Sequence, residues 1–367
     1  MSARAMKIRL FYHSITADWN NGHAHFLRGF ASELVARGHE VLTFEPRSGW
    51  SYENQFRDTG TDPVAAFHTH FPELRVVRYN GDLRLDAALE DADLVIAHEW
   101  NPPELIAALG ETRARGGRFR LLFHDTHHRA VTDPDAMRRF DLSAFDGVLA
   151  FGEVLRALYE REGWSRRAWV WHEAADTSRF QPQWATESDL LDLVWIGNWG
   201  DDERSEELME FLVEPVRALG LRAAVHGVRY PARALEALRA AGIAYLGWLP
   251  NHRVPDVFAR ARVTVHVPRR PYARQLPGIP TIRPFEAMAC GIPLISGPWD
   301  DAERLFDAGS DFLMARDGAE MTECLRAVLG DRTLAESLSR SGAAAIRRRH
   351  RCVDRVDELL SIHDELS

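Results

Sequence analysis

The chain has 367 residues, 46% hydrophobic and 27% charged; that length favours two domains over one core, and that composition excludes disordered, collagenous and disulfide-framework chains. Its 45 basic and 54 acidic residues leave a net charge of -9, which argues against a dedicated nucleic-acid surface, and no apolar run approaches the roughly 18 residues of a membrane span. Lys7 is the only lysine, so an anion site has to rely on arginine, and a GxxxxGK phosphate loop is excluded. Cys290, Cys324 and Cys352 are far apart and show no CxxC spacing, so neither a disulfide scaffold nor a thiolate metal site is indicated. The segment MSARAMKIRLFYHS passes into a strand-like run without a signal-peptide core, and the expected location is the cytoplasm.

In chain order, KIRLFYHS, the helical pattern FLRGFASELVARG, HEVLTFEP, LRVVRY, DLVIAHEW, FRLLFHD, GVLAFG and RAWVWHE alternate β-rich and helical patterns. That alternation predicts an α/β domain, a parallel sheet covered by helices on both faces. The grammar restarts near Asp192 with LDLVWIGNW, SEELMEFLVEPVRALG, LRAAVHGV, PARALEALRAAG, IAYLGWL, RVTVHVP, IRPFEAMACG and IPLISGP. Two Rossmann-like halves are expected, an N-terminal domain over 1–180 and a C-terminal domain over 190–345, with the polar DTSRFQPQWATESD as linker. The remainder, 346–367, reads as a helix that could pack back on the first domain. The basic run Arg347, Arg348, Arg349, His350 and Arg351 is followed by Asp354, Asp357 and Glu358, which favours a solvated helix face over a membrane contact.

In open parallel sheets, ligands bind beyond the carboxyl ends of the strands. Trp19, Trp100, Trp199, Trp248 and Trp299 all fall just past a predicted strand, as do His98, Glu99, His124 and Asp125. Each tryptophan alone reads as packing; five at equivalent positions suggest aromatic walls of a cleft between the two domains, suited to a sugar or a base.

The most informative segment is GIPTIRPFEAMACGIPLIS, residues 278–296. A loop there runs into a helix N-terminus, whose free N–H groups place Thr281, Ile282 and Arg283 to receive a diphosphate. Glu286, a turn further on, is suited to a ribose diol, or else forms a plain i,i+3 pair with Arg283. Asn21 and Gly22 occupy the turn from the first strand into the first helix, where glycine lets the backbone approach a phosphate or sugar. His124, His127 and His128 with Asp125 match no helical HxxxH metal spacing, and a packed structural histidine competes at His127 and His128. The pairs Asp201–Asp202 and Asp300–Asp301 read as turns or caps before metal ligands.

FEAMACGIPLIS resembles the donor-binding signature of retaining glycosyltransferases of the GT-B fold, family 4 type, and TIRPFEAMACG resembles the branch named after the spore maturation protein CgeB. WHEAADTSRFQP (171–182), WIGNWGDDERSEEL (195–208) and LGWLPNHRVPDVFARARVTVHVP (246–268) are similar to the family's inter-domain, domain-opening and base-binding segments. The resemblance implies two Rossmann-like domains facing across a cleft. It implies transfer of a sugar from a nucleoside diphosphate sugar to a glycan, lipid or small-molecule acceptor, with no metal or other cofactor, no nucleic-acid partner and at most peripheral membrane contact. His124, in a segment similar to the family's FHT strand end, would face the transferred sugar, and Arg204 and Arg283 would stabilise the leaving diphosphate, with Arg274 a weaker substitute. Asn21, Gly22, Asn198, Thr281, Ile282 and Glu286 would hold the donor, and Trp248 with Leu249 would bracket its base. His98, Glu99 and His127 would face the acceptor, Glu99 being the carboxylate nearest to a base role. One family feature is missing: the position eight before Glu286, a glutamate that contacts the sugar in the family, is Gly278. A GT-B epimerase or phosphorylase and a non-catalytic nucleotide-sugar-binding protein are the competing readings.

Overall fold

The computed structural model describes residues 4–183, 190–200 and 202–366. It divides into two compact units, Met1–Glu173 with Cys352–Ser367, and Ala174–Arg351. The chain therefore changes unit after Glu173 and after Arg351, whereas the sequence reading divides it at 180 and 345. Residues 184–189 of the expected linker lie outside the described residues. Its beginning is a turn in which the Asp176 carboxylate accepts from the Ser178 amide at 3.0 Å.

The first unit holds a seven-stranded parallel sheet: β1 (Lys7–Phe11), β2 (Glu40–Pro46), β3 (Arg75–Tyr79), β4 (Leu94–His98), β5 (Arg120–Asp125), β6 (Gly147–Ala150) and β7 (Ala168–Val170), in the order β3-β2-β1-β4-β5-β6-β7. Ile8 to Phe11 and all of Leu94–His98 are buried, because helices cover both faces and β-branched runs need not alternate with polar residues. The order reverses between β1 and β4, which opens a crevice at their carboxyl ends. Helix His23–Ala36 lays Phe26, Leu27, Phe30, Ala31 and Leu34 inward, a stripe at helical spacing. The last helix, Cys352–Glu365, packs against it and buries Val356, Leu359 and Ile362. Trp171 joins the two: its ring lies 5.0 Å from Phe26 and 5.3 Å from Phe30, and its Nε1–H donates to the Arg355 carbonyl at 2.9 Å.

The second unit repeats the plan with six parallel strands, β8 (Leu191–Ile196), β9 (Ala223–His226), β10 (Ala244–Tyr245), β11 (Ala261–His266), β12 (Leu294–Ser296) and β13 (Leu313–Met314), ordered β10-β9-β8-β11-β12-β13. The order here reverses between β8 and β11. The single helix expected over SEELMEFLVEPVRALG is helical at Ser205–Leu208 and Glu214–Leu219 but widens into a π turn over Met209–Val213. Pro215, which lacks an N–H, begins the next turn and accounts for the widening. Past the strand ends, β8 and β9 come into backbone contact. Gly227 has φ +151°, and a Cβ on it would lie 1.9 Å from the Gly197 carbonyl oxygen, so only glycine fits.

The basic run departs from the expected solvated face in part. Arg347 and Arg348 are exposed, but Arg349 donates to the Arg304 carbonyl at 2.7 Å, and buried His350 sits 2.9 Å from the Leu305 carbonyl and 4.9 Å from the Phe306 ring. Among the described residues, no helix is long and apolar enough to cross a membrane.

Truncating the fully buried Leu359 to alanine is expected to cost about 2–5 kcal/mol, through lost transfer energy and a cavity against helix His23–Ala36. Arg348→Ala is expected to stay within about 0.5 kcal/mol. Urea unfolding of both variants checks this.

Candidate functional site

In the second unit, the reversal between β8 and β11 gathers arginines. Arg204 donates through Nη1 to the Val267 carbonyl at 2.9 Å and through Nη2 to the Asn198 carbonyl, so the backbone beyond both central strands fixes its plane. Its cation lies 5.2 Å from the Trp195 ring, and its Nε is buried without a partner. No carboxylate pairs with it among the described residues. Burial first, then the charges of Arg269 and Arg283, pull its pKa down to about 9. The same cause holds His266 neutral: burial, with Arg204 and Arg283 adding to it, lowers this histidine to about 3. A desolvated guanidinium under repulsion from two others is a site that favours a dianion. Arg269, which pairs with Glu203 at 3.3 Å, was not among the residues selected from sequence. Its signal was a pair of arginines directly after a buried strand, a pattern that surface loops share.

Helix Ile282–Ala289 begins beside this cluster. Thr281 precedes it at φ +62°, ψ -176°, a region that β-branched residues rarely occupy and that costs about 1–3 kcal/mol. Ile282 is buried and Arg283 half-buried. Arg283 does pair with Glu286 at i,i+3, yet this is no surface pair, since Glu286 is fully buried and its other oxygen accepts from Asn251 Nδ2 at 2.7 Å. The carboxylate thus anchors Arg283, and a ribose reaches it only as one of these bonds yields. Gly278, in place of the family glutamate, has φ +88°, and a Cβ on it would lie 2.3 Å from Glu303 Oε1. A carboxylate from another loop therefore occupies that space.

Beyond β8, β9 and β10 lie the other residues expected to hold a donor. Asn198 Oδ1 accepts from the Val228 amide at 2.9 Å. Trp248 and Leu249 are half-buried, and the Trp248 Nε1 is buried without a partner. The other tryptophans divide. Trp19, Trp199 and Trp299 are buried: Trp19 donates to Asp58 at 2.6 Å, Trp199 donates to Ser205 at 2.8 Å, and Trp299 stacks on Phe312. These three pack within their own units. Asp202 pairs with Arg233 on the surface, and Asp301 accepts from the Leu305 and Phe306 amides at 2.9 Å each, as caps do; Asp201 lies outside the described residues. Arg274 is exposed.

In the first unit, the crevice between β1 and β4 is filled by stacked rings. His98 lies 4.8 Å from Tyr12 and 4.8 Å from His23, both nearly parallel to it, and His124 meets this stack edge-on, 5.2 Å from His23. Burial, reinforced by His23, pushes His98 and His124 well below the usual histidine range, so both rings are neutral. His124 Nδ1 bonds the Tyr12 hydroxyl at 2.7 Å, and its Nε2 is buried without a partner. His98 and Glu99, selected as acceptor-facing, are fully buried. Glu99 accepts from Arg129 Nη2 at 2.6 Å; burial, with Asp125 nearby, outweighs that pairing and raises it to about 8. What this strand end exposes is Trp100, 37% accessible, with Arg129 over its face at 4.3 Å and His127 at its edge at 5.1 Å. Asn21 is turned inward, donating to the Ser14 and Ala17 carbonyls at 3.3 and 3.4 Å. Gly22 caps helix His23–Ala36 at φ -65°, a conformation open to any residue.

Two families match the chain. "Glycosyltransferase Family 4" covers residues 20–179 and "Glycosyl transferase-like" covers 204–361. No curated protein matches. Solved structures similar over nearly the whole chain include sucrose-phosphate synthase from Thermosynechococcus elongatus (16% identity, 98% of this chain and 99% of that one, TM-score 0.69). A glycosyltransferase from Rickettsia africae (10%, 99% and 98%, 0.67) and Anabaena HepE in complex with UDP and glucose (14%, 98% and 100%, 0.65) are also similar. One half of the chain thus matches a family 4 glycosyltransferase model and the other a glycosyl transferase-like model, on the GT-B fold that these structures share. The chain is a glycosyltransferase, which transfers a sugar from a nucleoside diphosphate sugar to an acceptor hydroxyl with retention at the anomeric carbon.

Proposed function

We propose that this glycosyltransferase uses a uridine diphosphate sugar, that its chemistry is carried by arginines without a metal ion, and that it belongs with the CgeB-like branch on its TIRPFEAMACG segment. The observation that supports the reading most is Arg204, a backbone-clamped guanidinium with no carboxylate partner among the described residues and with Arg269 and Arg283 close enough to depress its pKa. As the glycosidic bond breaks, charge accumulates on the diphosphate while the sugar becomes cationic, so fixed positive groups aimed at the leaving oxygens lower the barrier more than they strengthen donor binding. The N-terminus of helix Ile282–Ala289, with Thr281 and Ile282, adds its N–H groups to the same anion. The acceptor hydroxyl attacks the face that the leaving group vacates, and its proton passes to a phosphate oxygen.

Asn198, Trp248 and Leu249 would hold the base, and Glu286 the ribose. Asn21 and Gly22 would contact the donor through backbone. His124, with its unpartnered Nε2, is assigned to the transferred sugar. Glu303 would supply the hydroxyl-binding carboxylate that Gly278 lacks. The acceptor would meet Trp100 and His127, with His98 and Glu99 supporting them from behind. UDP is inferred from the Anabaena complex.

Glu286→Gln is expected to weaken UDP binding roughly tenfold or more and to lower stability by about 1–3 kcal/mol, because a buried acceptor of charge-assisted hydrogen bonds is lost. Calorimetric titration with UDP and with GDP, alongside melting curves, tests both the residue and the base; tighter binding of GDP would replace the uridine assignment. Arg204→Ala and Arg283→Ala are each expected to lower kcat/KM by about 2–4 kcal/mol, mostly in kcat. Wild-type turnover in both would move the diphosphate site elsewhere. Saturating EDTA should leave initial rates unchanged, since arginines and helix dipoles take the place of a cation on the diphosphate; a loss restored only by Mg²⁺ or Mn²⁺ would refute metal independence.

A further inference from the structure

The histidines of the first unit have a capacity that sugar transfer does not use. His23, His98 and His124 each offer a ring nitrogen, and these three atoms lie within 4.8 Å of one another. Each ring is also held by an oxygen at one nitrogen. His23 Nδ1 is 3.1 Å from Glu173 Oε1, His98 Nε2 is 2.9 Å from Thr126 Oγ1, and His124 Nδ1 is 2.7 Å from the Tyr12 hydroxyl. The nitrogens left over are His23 Nε2 and His124 Nε2, both buried without a hydrogen-bond partner, and His98 Nδ1, met by the Trp100 amide at a long 3.4 Å. Imidazoles that bind metals show this division: one nitrogen toward the ion, the other tied to a carboxylate, hydroxyl or carbonyl that fixes the ring and raises its basicity.

We propose that His23, His98 and His124 form a site for a borderline divalent transition ion, with Zn²⁺ the best suited, leaving a fourth position for water or a substrate hydroxyl. Three uncharged nitrogen donors suit Zn²⁺ and give Mg²⁺ or Ca²⁺, which require oxygen, little to bind. Ligand nitrogens around a tetrahedral Zn²⁺ are about 3.3 Å apart, as bonds of roughly 2.0–2.1 Å require, so the rings close inward on binding. Because a nitrogen lone pair lies in its ring plane, one of the nearly parallel His23 and His98 rings must also turn to meet the ion. His23 is the ring free to do so: it starts the helix, and its side chain is the one of the three that reaches solvent, 9% exposed. Glu173 then acts as a positioning residue, holding the His23 ring from behind. The ion takes the His124 nitrogen assigned to the transferred sugar, so a bound ion blocks transfer. That consequence rests on the proposed function, whereas ion binding does not.

Calorimetric titration of metal-free protein is expected to show one Zn²⁺ per chain and no heat with Mg²⁺, and Co²⁺ is expected to give the visible absorption of a tetrahedral site. His23→Ala should weaken Zn²⁺ binding by more than tenfold. Glu173→Gln should weaken it by roughly tenfold at an unchanged melting temperature, which keeps the test open if the alanine variant folds poorly. Binding well below one ion per chain, or unchanged affinity in both variants, overturns the proposal. Zn²⁺ that binds at one per chain and stops transfer, reversibly with EDTA, supports both assignments. Zn²⁺ that binds without slowing transfer keeps the metal site and removes His124 from the sugar.

Discussion

The second unit is organised around one unfavourable placement, a guanidinium withdrawn from water beside two more of its kind. Arg204 is tolerated because the Asn198 and Val267 carbonyls take two of its donors and the Trp195 face lies under its charge. Those groups come from the ends of β8 and β11, the strands between which the order reverses. Only there do two adjacent parallel strands send their chains away in opposite directions and leave backbone acceptors free to hold a cation. The strained Thr281 and the buried Arg283–Glu286 pair belong to the same arrangement. Each is a local cost held in place by the surrounding fold.

The two parallel sheets were legible from sequence because burial on both faces leaves near-continuous apolar runs, and Ile8–Phe11 and Leu94–His98 are such runs. The widened turn over Met209–Val213 was not legible, since hydrophobic periodicity tolerates one extra residue per turn and only Pro215 hinted at it. Among the clustered arginines, Arg204 stood out through the motif around it. Arg269 did not, because its nearness to Arg204 depends on where two strand ends converge, which one local segment cannot reveal. The five tryptophans show the limit of position as an argument. All follow strands, yet Trp19, Trp199 and Trp299 are drawn into packing and only Trp100 keeps a large exposed face. Glu286 shows the limit of spacing: i,i+3 pairing was foreseeable, and the burial that makes the pair matter was not.

The histidine stack was the least legible feature of all. His23, His98 and His124 come from three separated segments; the sequence reading assigns His98 to an acceptor and His124 to the sugar, and does not single out His23. Sheet order alone makes them neighbours, since β1, β4 and β5 are adjacent and the helix after β1 returns over them. His98 and His124 pack this closely because burial holds both rings neutral. Were both protonated, the two rings would repel each other.

The return of helix Cys352–Glu365 to the first unit bears on how the protein is made. Trp171 and the inward face of helix His23–Ala36 are synthesised early, but the helix that covers them is encoded after the whole second unit. On a ribosome adding about 5–20 residues per second, that apolar seam stays open for roughly ten to thirty seconds while Ala174–Arg351 emerges. The first unit thus closes last although it is made first, and the nascent chain presents a hydrophobic surface to chaperones for that interval.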